Sequence, residues 1–249
     1  MKAISISKST LILFAAVTLF YIFRQPATLY QHYLYTYVDQ RAFLGIPNFF
    51  DVTSNIPFLL IGMWASFFVV SRRSQMTAQK SWLTLFIGVT LVAAGSTYYH
   101  LDPQPATLVW DRLPMTLGFM GLLSATLTEF VDERAEKALL VPLLLLGVAS
   151  VFYWYNFNDV RLYLWVQFFP LGLLLLTLLL FRSEAAFKWM YFAAFSLYVV
   201  AKIAEHYDAK IYQFSSQIMS GHTAKHLLAA VAIYVLYVRL RRRAQMAGG

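Results

Sequence analysis

The sequence predicts an all-α fold, a polytopic membrane helical bundle with a seven-span core and one additional N-terminal span. Of the 249 residues, 59% are hydrophobic and only 13% are charged, whereas soluble domains average about 45–50% apolar and about 25% charged residues. This composition excludes intrinsic disorder. The absence of cysteine excludes a disulfide framework, a thiolate metal site and a cysteine nucleophile.

The N-terminal span is predicted at Leu11–Phe23, an apolar run that follows Lys2 and Lys8 and resembles the core of a signal peptide. No small-residue cleavage site follows this run, so we interpret it as an uncleaved signal anchor that spans the membrane. Residues 1–47 are therefore assigned to this anchor and an outer loop.

Seven longer apolar runs predict the core spans, because a helix needs about 20 mostly apolar residues to cross the hydrocarbon core. The connections between these runs are short, so we assign residues 48–240 to one seven-span core and 241–249 to a basic cytoplasmic tail. The predicted spans are 50–70, 82–101, 112–129, 138–155, 162–181, 187–205 and 222–239.

The net charge of +8 is explained by the positive-inside rule. With the N-terminus inside and eight alternating spans, most Lys and Arg residues fall on the cytoplasmic side. Both termini are then cytoplasmic, and the connections near 101–111, 156–161 and 206–221 face the outer (periplasmic or luminal) side. The positive charge lies at the ends of apolar runs without a basic recognition element, so we expect lipid and not nucleic acid as the partner.

Ionisable residues near the outer ends of the spans are the main functional indication, since such residues are rare inside membranes. Ser96 and His100 lie one helical turn apart at the end of one span, and His222 and His226 have the same spacing at the start of another. Asp111 precedes a third span. The topology therefore brings three imidazoles and one carboxylate to a common depth.

Three neutral imidazoles with one open position form the ligand set of a catalytic zinc ion. Zinc lowers the pKa of its bound water to about 7. Asp111 could hold that water and take its proton, and Ser96 could donate a hydrogen bond to the oxyanion of an attacked carbonyl. The pattern predicts metal-assisted hydrolysis.

Each of these residues also has a structural interpretation. A histidine pair on one helix face can be structural, Asp111 could cap a helix that begins at Arg112, and Ser96 beside Gly95 could serve close helix packing. Glu129, Glu205 and His206 lie at span ends, where solvation is the default. Glu205 and His206 are also on the outer side and are possible substitute ligands, and three further residues are interpreted as a cap and polar contacts (Asp51, Ser54 and Asn55).

The combined motifs resemble the alkaline ceramidase family, which belongs to a seven-span superfamily that includes adiponectin-receptor-like proteins. The resemblance covers about residues 48–240, and the segment Phe49–Asn55 is similar to the family's entry into its first core span. In chain order, the other matching motifs are Gly95-Ser96-x-x-x-His100, Asp111-x-Leu113-Pro114-Met115 and His222-x-x-x-His226.

The resemblance implies a zinc-dependent amidase that cleaves a ceramide-like lipid to a sphingoid or amino-lipid base and a fatty acid. It implies that His100, His222 and His226 bind zinc. Asp111 would hold the zinc-bound water, and Ser96 would assist beside the metal. The alternative function is a seven-span receptor or sensor with a structural zinc, and a third is a transporter or scaffold without a metal.

The chain departs from this family at the outer side. Eukaryotic members carry an acidic N-terminal segment that binds calcium, whereas residues 24–50 contain Asp39 as their one acid, so calcium is not expected as a cofactor. Arg112 stands where the family usually has an acid, and Lys225 where an aromatic residue often precedes the last histidine. Both cations would lie near the outer mouth and favour a lipid with an anionic head.

Overall fold

The computed structural model describes residues 2–29, 37–72, 76–181 and 187–247, and it shows an all-α bundle. The predicted fold class is confirmed, and the described part of the chain contains no strand. The long helices are α1 (Lys2–Arg24), α3 (Ile56–Ser71), α4 (Gln79–Leu101), α5 (Pro105–Phe130), α6 (Ala135–Phe157), α7 (Arg161–Leu180), α8 (Trp189–His206) and α10 (Gly221–Ala247). Two short helices lie between them, α2 (Phe49–Thr53) and α9 (Asp208–Phe214).

Six of the described helical segments are long and apolar enough to cross a membrane, namely α1, α2 with α3, α4, α6, α7 and α10. The other two predicted spans correspond to α5 and α8, which have 26 and 18 residues but carry charged side chains. Helix α5 packs against α4, α6 and α7, and α8 packs against α10. Two of the cations assigned to the cytoplasmic side, Arg73 and Arg182, lie outside the described residues.

Helices α4 and α5 approach each other closely because glycine recurs along their contact. A Cβ at Gly95 would lie 1.9 Å from the carbonyl oxygen of Trp110, and one at Gly121 would lie 2.8 Å from the amide nitrogen of Leu85. Small residues permit such backbone contact between membrane helices. The contact at Gly95 brings this end of α4 beside Asp111 on α5.

Helix α5 begins earlier than predicted. It starts at Pro105, and Gln104 forms a capping box with Thr107. Asp111 therefore lies almost two turns inside the helix, and its interpretation as a cap for a helix starting at Arg112 is wrong. Because other residues satisfy the helix start, the Asp111 side chain is available to the interior of the bundle.

Helix α1 packs against α7, with the rings of Phe14 and Phe169 stacked at a centroid distance of 5.9 Å. The segment after α1 is fixed by Arg161, which donates to the carbonyl oxygens of Phe23 and Gln25. Arg161 Nη2 also lies 2.7 Å from Asp159 Oδ2. Burial opposes ionisation of Asp159, but hydrogen bonds from Arg161 outweigh it and lower the pKa of this carboxyl.

A buried ionic cluster lies at the end of the bundle where α5 and α10 finish, and we call it the Glu129 cluster. Arg239 Nη2 lies 2.8 Å from Glu129 Oε2, and Arg243 Nη1 lies 2.8 Å from Oε1. Trp82 Nε1 donates to Oε1 at 2.9 Å, and the Tyr191 hydroxyl donates to Oε2 at 3.2 Å. The Glu129 side chain is only 1% exposed, so its interpretation as a solvated span end is wrong.

Candidate metal centre

Three buried histidines meet at the opposite end of the bundle, which we call the histidine end. His100 comes from the last turn of α4, and His222 and His226 from the first two turns of α10. Each offers one ring nitrogen, and these nitrogens all lie within 4.8 Å of one another. The helical spacing of His222 and His226 explains why both reach the same point. The group could hold a metal ion.

The chemistry and spacing of the donor atoms fit a metal. His100 Nε2 and His222 Nε2 lie 3.2 Å apart, and two nitrogen ligands at about 2.0–2.1 Å from a tetrahedral metal would be roughly 3.3 Å apart. Both imidazoles are almost fully buried, and their Nδ1 atoms have no hydrogen-bond partner among the described residues. A cation bound between the Nε2 atoms would satisfy both lone pairs.

Helix α10 is held at the start by contacts that orient its histidines. A Cβ at Gly221 would lie 2.1 Å from the carbonyl oxygen of Ala204, so glycine allows α10 to touch the end of α8. The Asp208 carboxylate accepts a hydrogen bond from the amide of His222 at 2.8 Å. A carboxylate at a helix N-terminus stabilises the exposed amides there. These contacts set the position of the first turn of α10.

The segment joining α2 to α3 also touches α10. Asp51 Oδ1 accepts a hydrogen bond from Thr223 Oγ1 at 2.7 Å, and Ser54 Oγ lies 2.7 Å from His226 Nδ1. Asn55 occupies the N-cap position of α3, but its side chain makes no capping hydrogen bond. The interpretation as a helix cap is therefore wrong for Asn55, while Asp51 and Ser54 make polar contacts with the histidine helix.

Ser96 and Asp111 line the same cavity as His226. The Ser96 side chain lies near the Asp111 carboxylate. Ser96 is almost fully buried, and its neighbour Gly95 makes the close helix contact described above. The structure thus places the serine, the carboxylate and one of the histidines around one space.

Glu205, considered above as a substitute ligand, forms ion pairs with two lysines. Its Oε1 lies 2.9 Å from Lys225 Nζ, and its Oε2 contacts Lys202. Glu205 Oε1 is 3.9 Å from His222 Nδ1, and this residue is not a member of the histidine group. His206 lies on the cavity wall and is likewise not a member.

The two cations expected near the outer mouth both line the cavity. Lys225 pairs with Glu205, and Arg112 lies over the rings of Trp154 and Tyr163, with its Cζ 4.0 Å and 4.5 Å from the centroids. The charged residues along the lining balance, since three cations face three carboxylates: Arg112, Lys202, Lys225, Asp111, Glu205 and Asp208. The cavity therefore has no excess of positive charge.

Tyr37 covers the histidine group, and sequence reasoning missed it. Its ring centroid lies 3.6 Å from that of His222 and 5.2 Å from that of His100. The residue precedes α2 and also lines the cavity. Nothing in the local sequence distinguishes it from the tyrosines of an interfacial belt.

The cavity has a volume of about 600 Å³ and extends from the polar residues into the apolar bundle. Along α10 its lining runs from His226 to Leu236, which is about 15 Å at 1.5 Å per residue. A second cavity of about 530 Å³ lies between α7 and α8 and shares Phe195 and Tyr198 with the first. Residues of α8 therefore line both cavities.

Comparison of the sequence with protein-family models and with curated proteins found no match. The site itself consists of a buried group of His100, His222 and His226 that could hold a metal, and a cavity that joins this region to the apolar interior.

Proposed function

We propose that this protein is a zinc-dependent intramembrane hydrolase of the alkaline ceramidase type. It would cleave the amide bond of a ceramide-like lipid to an amino-lipid base and a free fatty acid. The observation that carries the proposal is the meeting of His226, Asp111 and Ser96 on one cavity with an apolar extension. We further propose eight spans including α5 and α8, cytoplasmic termini and an active site toward the outer side.

His100, His222 and His226 would hold the metal, because three neutral imidazoles with an open position are a preferred ligand set for catalytic zinc. Zinc supplies a Lewis acid and lowers the pKa of water to about 7, which provides a nucleophile at neutral pH.

Asp111 is the proposed general base. Its carboxylate would take a proton from the attacking water and return it to the leaving nitrogen of the amide. Ser96 lines the same cavity as Asp111, and its hydroxyl would assist beside the metal, by orienting the Asp111 carboxylate or by donating to the developing oxyanion.

The substrate class follows from the shape and charge of the cavity. An acyl chain would lie along the apolar extension toward Leu236, which places the amide beside Asp111. A lipid would reach this position from the bilayer through the gap between α7 and α8. Because the charges of the lining side chains balance, those side chains add no attraction for an anionic head, and a neutral polar head is proposed in place of the anionic head that the sequence suggests.

The test uses the purified full-length protein in liposomes that contain a long-chain ceramide. Zinc per chain and fatty-acid release are measured on the same preparations, and parallel liposomes contain an N-acyl lipid with a phosphate in its head. We expect zinc near one ion per chain, release from the ceramide, and slower release from the phosphate-bearing lipid.

Asp111→Asn should retain zinc and lose about 10²–10⁴-fold in turnover, because the amide keeps the shape of the side chain but cannot act as a base. Asp132→Asn is the control, since this exposed carboxylate is paired with Lys8 and lies far from the histidines. Wild-type turnover in zinc-loaded Asp111→Asn would overturn the catalytic role. Zinc-loaded wild-type protein that releases no fatty acid would favour the receptor-like alternative.

A further inference from the structure

The hydrogen bond between Ser54 and His226 determines which imidazole nitrogen can face a metal. Ser54 Oγ lies 2.7 Å from His226 Nδ1 and 3.0 Å from the backbone carbonyl oxygen of Asp51. Both side chains are buried, at 6% and 3% exposure, so water does not compete freely for these contacts.

The protons in this pair can be assigned from donor and acceptor chemistry. A carbonyl oxygen only accepts, so the single proton of the Ser54 hydroxyl is donated to the carbonyl of Asp51. The serine oxygen must then accept from His226, whose proton is therefore on Nδ1. In a neutral imidazole with Nδ1 protonated, Nε2 carries the free lone pair.

We infer that Ser54 is a positioning residue that fixes the tautomer and ring orientation of His226, so that Nε2 is presented to the metal. This inference rests on the metal site of the proposed function. A partner on the second nitrogen commonly orients a ligating histidine, and its loss costs about 10–100-fold in metal affinity. The Nδ1 atoms of His100 and His222 have no such partner among the described residues, so His226 is the anchored member of the group.

The position of Ser54 is itself fixed by the break between α2 and α3. Ser54 is the C-cap of α2, and its amide donates to the carbonyl oxygen of Phe50 at 2.9 Å. The neighbouring Asp51 accepts from Thr223 at 2.7 Å, one residue after His222. Two side-chain contacts therefore tie this break to the first two turns of α10.

The experiment measures zinc and cobalt affinity of the purified full-length protein by competition with a chromophoric chelator. The variants are Ser54→Ala, Ser54→Thr and, as a control, Ser150→Ala. Ser150 is also buried and donates to a carbonyl three residues earlier, at 2.6 Å from Gly147, but it touches no imidazole. Thermal unfolding of the metal-free proteins and nitrogen NMR of labelled histidines report folding and tautomer separately.

We expect Ser54→Ala to lose about 10–100-fold in affinity for both metals, with Ser54→Thr restoring most of it and Ser150→Ala unchanged. The metal-free Ser54→Ala protein should also show His226 with mixed tautomers, an effect that a change in packing alone would not produce. Wild-type affinity and a wild-type tautomer in Ser54→Ala would overturn the inference while leaving the metal site in place. Wild-type protein that binds neither metal would overturn the proposed function together with it.

Discussion

The bundle contains two buried polar clusters, and they differ in composition: one pairs a carboxylate with arginines, and the other brings three imidazoles together. The Glu129 cluster joins a carboxylate to two arginines, a tryptophan and a tyrosine, so both carboxylate oxygens have donors. The histidine group is equally buried, but it brings like groups together, with His100 Nε2 only 3.2 Å from His222 Nε2.

This difference indicates which cluster serves the fold and which one could hold a metal ion. A buried polar group without a partner costs about 1–3 kcal/mol. The carboxylate of Glu129 has its partners within the chain, whereas the inward nitrogens of the histidines form a group that could hold a metal ion. Along α10, His222 and Arg239 are about 25 Å apart at 1.5 Å per residue, so changes at one cluster should leave the other unaffected.

Loss of a histidine ligand should produce the largest effect. In His222→Ala we expect the zinc content to fall from about one ion per chain to near zero, because three protein ligands define the site. The metal-free protein should remain folded, since the amide of residue 222 still donates to Asp208. His206→Ala is the matched control, because His206 lines the cavity outside the metal group. Metal analysis that found full zinc in His222→Ala would contradict the assignment.

Loss of Arg239 should have the opposite pattern: the protein should become less stable while its zinc binding is kept. Breaking a buried ion pair by removing one partner typically costs about 3–5 kcal/mol in the free energy of unfolding, because the other charge stays buried. Arg239→Met should therefore unfold at lower temperature, while its folded fraction binds zinc like wild type. Replacing both partners, with Glu129→Leu added, should recover part of the stability. A zinc affinity that fell together with stability would show that the two clusters are coupled.

The same comparison explains what could be predicted from the sequence. His100, Asp111, His222 and His226 were found because ionisable residues are rare in apolar runs and because the helical period fixes which of them share a face. The serine on His226 was missed because the two residues are 172 positions apart. Their contact depends on how the end of α2 packs against α10, and the apolar pattern of a single sequence does not indicate that packing.

The Glu129 cluster was missed for a related reason. Its pair with Arg239 joins residues 110 positions apart, and each residue alone is an ordinary charged side chain near the end of an apolar run. The positive-inside rule describes where such cations lie along the chain and not whether they turn inward. The helix start at Pro105 was missed because the residues between Pro105 and the predicted start of the span at Arg112 are less apolar than a membrane span.

Filling the cavity should have an intermediate effect that separates substrate binding from folding. A Cβ at Gly118 would lie 3.7 Å from its nearest neighbour, Leu85 Cδ1, so Gly118→Leu can extend into the apolar lining without a backbone clash. We expect release from a long-chain ceramide to fall about tenfold, because the new side chain would take the place of about two CH₂ groups of the acyl chain at about 0.8 kcal/mol each, and release from a short-chain analogue to fall less. Zinc content and unfolding temperature should not change.

Gly88→Ala is the contrasting variant, because its Cβ would lie 2.8 Å from the amide nitrogen of Gly118. This change should lower the unfolding temperature and reduce turnover of both substrates alike. Equal losses for long and short chains in Gly118→Leu would show that the acyl chain does not occupy the extension.

Calcium should have the smallest effect, because the acidic residue before α2, Asp39, already has a hydrogen-bond donor on each carboxylate oxygen. Glu129 at the other end of the bundle is paired in the same way. Asp39 is 1% exposed, and both of its oxygens accept hydrogen bonds from Arg41, at 2.8 Å and 2.7 Å. Arg41 also donates to the carbonyl oxygen of Ile218, which ties this pair to the segment before α10. A calcium ion takes six to eight oxygen ligands, usually with several carboxylates, and it would have to displace Arg41 from a buried pair. We therefore expect fatty-acid release by the zinc-loaded protein to be the same with a calcium-selective chelator as without it. Activity that disappeared on chelation and returned with calcium alone would contradict this prediction. It would mean that oxygen ligands other than Asp39 form a calcium site at the histidine end.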